Sequence, residues 1–140
     1  MRSHAQVLAL GCLLAGCGSS ASQEGAVESF SALHQDVFVQ GGCVKCHDSD
    51  GPAGLDLSTP ELAYHGLVGA RAQGTKCAPS GSMRVAPGDS SASLLIHKLE
   101  GHDAANQPVC GKPMPQMERL ASDEIERVRL WIDDGAESDL

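Results

Sequence analysis

Cys43-Val44-Lys45-Cys46-His47, read as CVKCH, decides how the rest of this 140-residue chain is interpreted. Two thiols separated by two residues fall on one turn, with an imidazole directly after the second. A dithiol redox centre would expect the motif beside a βαβ unit, and strand-like alternation is nearly absent here. Half a zinc site would need two more ligands at matching spacing. The immediate histidine instead makes the pentapeptide an attachment pattern for c-type haem. Each thiol can add to one vinyl group of the macrocycle, and His47 then faces the iron as an axial ligand held in place by the two thioether bonds.

The surrounding sequence reads as helices. Val27, Phe30, Leu33 and Val37 recur at helical spacing, so residues 26–39 are expected to form an amphipathic helix ended by Gly41-Gly42, delivering the chain to Cys43. Thr59-Pro60-Glu61 supplies a cap, a proline at the first helical position and an acid in the first turn, which predicts a short helix through about Leu67. Pro87-Gly88-Asp89 is a turn leading into a third helix, with Ala92, Leu95, Ile96 and Leu99 on one face and Gly101 as terminator. Ser122-Asp123-Glu124 opens a fourth, carrying Ile125, Val128 and Ile132 with Trp131 beside them and Gly135 beyond its end. Asp133 and Asp134 sit where the helix dipole disfavours acids.

Upstream, Met1-Arg2-Ser3-His4 and the apolar run Ala5 to Gly16 have the form of a signal peptide, too short to span a bilayer as a mature helix. Leu14-Ala15-Gly16-Cys17 resembles the lipobox of bacterial lipoproteins. Residues 1–16 are thus expected to be removed, Cys12 with them, and Cys17 to carry the lipid chains of a membrane anchor. Residues 17–25 read as a flexible tether, because Gly-Ser-Ser-Ala-Ser-Gln-Glu-Gly has nothing to bury. The folded domain is then 26–137.

Composition narrows the function. The formal charge is −8, and −9 once a segment containing Arg2 and no acid is removed. Sparse, unclustered lysines and arginines exclude a phosphate-backbone binder, so no nucleic-acid partner is expected. Two Phe, one Tyr and one Trp are few large side chains for a core, and a flat apolar macrocycle would supply the missing bulk.

With those residues in view, the chain resembles the class I monohaem cytochrome c family over most of its length. Gly54-Leu55-Asp56-Leu57, Pro87-Gly88-Asp89 with Ser93-Leu94-Leu95, Pro113-Met114-Pro115, and Trp131-Ile132 with Gly135-Ala136 are similar, in order, to small planctomycete-type and myxobacterial exported cytochrome domains. The resemblance implies an all-α fold of about four helices around one covalently bound haem c. It also implies a methionine as the second axial ligand. Met114, clamped between two prolines, is the first choice, with Met117 and Met83 as rivals. A thioether favours ferrous iron and raises the reduction potential. His34, His65, His97 and His102 read as solvated surface histidines. Leu55, Leu57, Leu67 and Trp131 are expected on or near the macrocycle. A backbone carbonyl from Gly51-Pro52-Ala53 is the expected acceptor for the axial imidazole's other nitrogen.

Cys77 and Cys110 remain after lipid and haem have taken three cysteines from the mature chain. In an oxidising compartment they are expected to pair. The resulting expectation is an exported cytochrome on the periplasmic side, lipid-anchored with a lean to the outer membrane, since Gly18 is not the Asp that marks inner-membrane retention in enteric bacteria. It carries single electrons between redox partner proteins by outer-sphere transfer and has no catalytic residue. A haem enzyme or gas or redox sensor with an open or labile sixth position is the alternative, against which the proline clamp around Met114 speaks.

Overall fold

The computed structural model describes residues 27–140. The expected signal (1–16), tether (17–25) and lipid-bearing Cys17 lie outside the described residues. Among the described residues the regular structure is helical, with no strand.

Helix α1 starts at Phe30, later than the sequence pattern suggests, because Ser29 takes the cap and accepts the Ala32 N–H. Val27 is left exposed rather than on the buried face. After Phe30–Leu33 the helix continues as a wider π-helical segment, His34–Val39, and Gly42 turns the chain away with φ +77°. Helix α2 (Pro60–Leu67) starts on its sequence signals, the Thr59 side chain accepting the Leu62 N–H and Pro60 in the first position, and ends at Leu67 as expected.

Helix α3 (Leu94–Glu100) is shorter than expected. Asp89 caps a separate single turn, Ser90–Ala92, and the chain becomes extended at Ser93 before α3 begins. That break shifts the face. Leu94, Ile96 and Leu99 are buried, Leu95 is half-buried and Ala92 is exposed. Gly101, at φ +89°, ends the helix as anticipated.

Helix α4 (Ser122–Asp133) buries Val128, Trp131 and Ile132. Glu124 reaches back to the Ala121 N–H at 2.8 Å, closing the first turn. At the other end the Asp133 carboxylate accepts from the Ser90 N–H (2.8 Å) and hydroxyl (2.9 Å). These two bonds offset the unfavourable dipole and dock the turn before α3 onto α4. Nothing in the structure explains Asp134.

The core lies where α1, α2 and α4 converge. All four aromatic side chains gather there: Phe30 has Trp131 at 5.0 Å, Tyr64 at 5.2 Å and Phe38 at 6.4 Å between ring centres. Few as they are, they fill this region together, so the scarcity of aromatics does not leave the centre short of bulk. The Trp131 indole N–H donates to the Glu137 carbonyl at 2.9 Å and the Tyr64 hydroxyl to the Ala136 carbonyl at 3.0 Å. Packing continues past residue 137, where the Asp139 carboxylate accepts the Ser31 N–H.

A second, smaller apolar cluster joins Ala72, Cys77, Leu94 and Val109. Cys77 and Cys110 lie in it at disulfide distance, S–S 2.18 Å. Helix α3 bridges both clusters, giving Leu94 to one and Ile96 and Leu99 to the other. The bond spans 33 positions, so its loss should lower stability by roughly 3–4 kcal/mol on the chain-entropy estimate. Denaturant melts of Cys77→Ala/Cys110→Ala against wild type measure this. Equal midpoints, or equal wild-type mass after alkylation with and without reduction, would refute the bond.

Candidate functional site

The CVKCH turn follows directly from α1. The Gly41 N–H donates to the Val37 carbonyl at 3.1 Å, and Lys45, Cys46 and His47 close a tight turn onto Gly42 and Cys43 carbonyls at 3.0–3.2 Å. Gly41 is required by space, since a Cβ there would stand 2.2 Å from the Val37 oxygen and 2.9 Å from Leu120. The turn holds the two thiols and the imidazole on five consecutive residues. Cys43 and Cys46 are both free, the first half-buried against the core and the second exposed. Burial pushes the Cys43 thiol above its ordinary value, with nearby Cys46 and Glu124 adding to the effect.

Opposite the turn runs a strap, residues 53–57. The Leu57 N–H donates to the His47 carbonyl at 2.8 Å, and the Leu57 carbonyl bonds His34 Nε2 at 2.9 Å. His34 is therefore not a surface histidine: it is 4% exposed, inside α1, and serves the strap. Sequence gave no sign of this, because its partner lies 23 residues away. Of the others, His65 and His102 are exposed and His97 is half-buried, bonded to the Ser91 carbonyl.

His47 is half-buried, and its Nδ1 is a buried polar atom with no hydrogen-bond partner. Burial lowers the pKa of the ring, the Leu55 carbonyl opposes that by favouring the protonated form, and the charge of Arg84 lowers it further. His47 Nδ1 makes no bond to the expected carbonyls of Gly51-Pro52-Ala53. The Ala53 carbonyl is already taken, at 2.6 Å, by Arg84 Nη2. A half-buried imidazole with one buried, unpartnered nitrogen, beside two free thiols, is a donor set that fits covalent haem.

Met114 is half-buried in the segment after the disulfide, with its N–H on the Lys98 carbonyl at 2.8 Å. The Lys98 ammonium holds the same segment through the Cys110 and Lys112 carbonyls. Arg119 fixes its far side to the Leu99 and Glu100 carbonyls, and Leu120 reaches Gly41 at the entry to the CVKCH turn. The loop carrying Met114 is therefore strung from α3 to the motif. Met117 is 99% exposed and Met83 is 38% exposed, so Met114 is the least exposed of the three. Leu57 and Trp131 are covered by the chain itself, as is Leu67, whereas Leu55 is half-buried at the core's edge.

Comparisons with protein-family models, with curated proteins and with solved structures gave no match to this chain. No described helix is long and apolar enough to cross a membrane.

Two outcomes are expected of the chain produced without haem. Iodoacetamide should modify Cys46 before Cys43, because one thiol is exposed and the other is half-buried with its proton held; peptide mass mapping over time checks this, and equal rates would contradict it. His47 should also make stability rise with pH. Its unfolded form titrates near 6.5 and its folded form lower, so the unfolded state binds more protons in the interval between. The contribution is complete above about 6.5 and is lost as pH falls through the folded value. Denaturant melts of wild type and His47→Gln across that range should differ in slope, the variant being flatter.

Proposed function

We propose that this chain is a membrane-tethered, extracytoplasmic monohaem c-type cytochrome that passes single electrons between redox partners and catalyses no reaction of its own. The observation that carries the reading is the juxtaposition of two free thiols and a half-buried imidazole on one short turn, with Nδ1 of that imidazole facing inward. Bound to Cys43 and Cys46, haem c supplies one-electron exchange through its edge. The chain's own part is placement. His47 would hold the iron, its main chain fixed by the strap, and Met114 would be the second ligand, its loop anchored by Lys98 and Arg119. Leu55 is one apolar neighbour with surface still to offer a macrocycle.

Several features support a carrier rather than an enzyme or sensor. The Met114 segment is tied by its own main chain to Lys98 and at its far end by the Arg119 side chain, which favours a permanent ligand over a displaceable one. Cys17 would tether the protein outside the cytoplasm through its lipid.

Optical spectra of the exported protein in both oxidation states, beside Met114→Ala, test the ligand set. The expected wild type is low-spin when oxidised, with a far-red Met-to-iron band that disappears in the variant. A high-spin wild type that binds carbon monoxide or peroxide would overturn it in favour of an enzyme or sensor.

A further inference from the structure

The loop that presents Met114 has little structure of its own. From 109 to 121 the chain forms neither helix nor strand. Between 110 and 120 the only main-chain N–H with a protein acceptor, among the described residues, is that of Met114, on the Lys98 carbonyl at 2.8 Å. Side chains supply the other holds. The Lys98 ammonium donates to the Cys110 carbonyl and, at 2.9 Å, to the Lys112 carbonyl, so it grips the loop on either side of Gly111. That glycine turns the chain with φ +70°, and a Cβ on it would stand 3.4 Å from Lys98 Nζ. Among the described residues the ammonium has no carboxylate partner. Its charge is met by the carbonyls of the loop it fixes.

The Cys77–Cys110 bond acts at the same turn. Only Gly111, Lys112 and Pro113 separate Cys110 from Met114, and the bond ties that end of the loop to Cys77 in the smaller apolar cluster. The carbonyl that Lys98 takes from Cys110 is thus presented by a residue that the disulfide holds in place. A segment without a hydrogen-bonded ladder, fixed by a few side chains at one end, opens locally at low cost once one of them is released. The bond is also within reach of a reductant. Cys77 is 6% exposed, whereas Cys110 is half-buried on the open side of the cluster.

We propose that the Cys77–Cys110 bond is a redox switch on the second axial position: closed, it keeps Met114 in place as a permanent ligand, and opened by a dithiol reductant it releases the loop and leaves that position free for a small ligand. The inference rests on the cytochrome reading with Met114 as the second ligand. In the opening step a thiolate of the dithiol attacks Cys110 Sγ, the S–S bond breaks, and Cys77 leaves as a thiolate and takes up a proton. The second thiol of the reductant then displaces Cys110 from the mixed disulfide. The two cysteines gain two electrons and two protons, and the dithiol becomes a disulfide.

The test uses the exported full-length haem protein, made ferrous in two ways. Ascorbate with a mediator reduces the iron and leaves the disulfide closed; dithiothreitol reduces both, and alkylation of a parallel sample followed by mass measurement reports the state of Cys77 and Cys110. The ascorbate-reduced protein should not bind carbon monoxide. The dithiothreitol-reduced protein should bind it, read as a shift of the Soret band, with the far-ultraviolet circular dichroism unchanged. Cys77→Ser/Cys110→Ser reduced with ascorbate should bind it without dithiothreitol, and its oxidised form should lose the far-red Met-to-iron band. An opened disulfide without carbon monoxide binding would overturn the switch. So would a bond that dithiothreitol leaves closed in the folded protein, or binding that appears only with loss of the helical signal. Ascorbate-reduced wild type that binds carbon monoxide would instead overturn the Met114 reading, and the inference with it. If the double variant does not accumulate, the comparison of the two reductants on wild type decides alone.

Discussion

Leu57 connects the parts of this molecule that matter most. Its side chain is 4% exposed in the main core, its N–H holds the His47 carbonyl, and its carbonyl is held by the buried ring of His34. Helix α1 thereby touches the motif twice, directly through the chain that runs from Val39 into Cys43 and indirectly through His34 and the strap. A turn as short as CVKCH has too few internal bonds to fix an imbalanced set of thiols and imidazole alone. Its orientation is inherited from the aromatic cluster around Phe30, which seats α1, and from Leu57, which transmits that seating to His47.

Around this centre the chain replaces long regular elements with local anchors. Lys98 and Arg119 secure the Met114 loop through carbonyls, Arg84 secures the strap in the same way, and Asp133 docks onto Ser90. Each anchor gives main-chain groups in turns or at helix ends a side-chain partner, which a chain with short helices must do to close. The Cys77–Cys110 pair adds a covalent limit on the segment between α2 and Met114.

How much of this could be read in advance depends on range. Helix α2 was legible at both ends because Thr59, Pro60 and the helix itself interact within a few residues. The Cys77–Cys110 pairing followed from counting thiols. The face of α3 was misread because a short capped turn at Asp89 and the extended Ser93 reset the register, a choice made by contacts with α4 and not by periodicity. Asp133 looked unfavourable within its own helix and is explained only by Ser90, 43 positions away. His34 and Arg84 were missed for the same reason. Histidine is ambiguous in burial and arginine is rarely buried, so neither residue type signals a role until the strap is folded against it.

The most direct measurement is the intact mass of the exported chain after acid–acetone extraction, compared with Cys43→Ala/Cys46→Ala. Covalent attachment requires the wild type to keep the mass of one haem through extraction and the double variant to lose it. A wild type with bare polypeptide mass, and with Cys43 and Cys46 both open to alkylation, would contradict the assignment of this turn as a haem site.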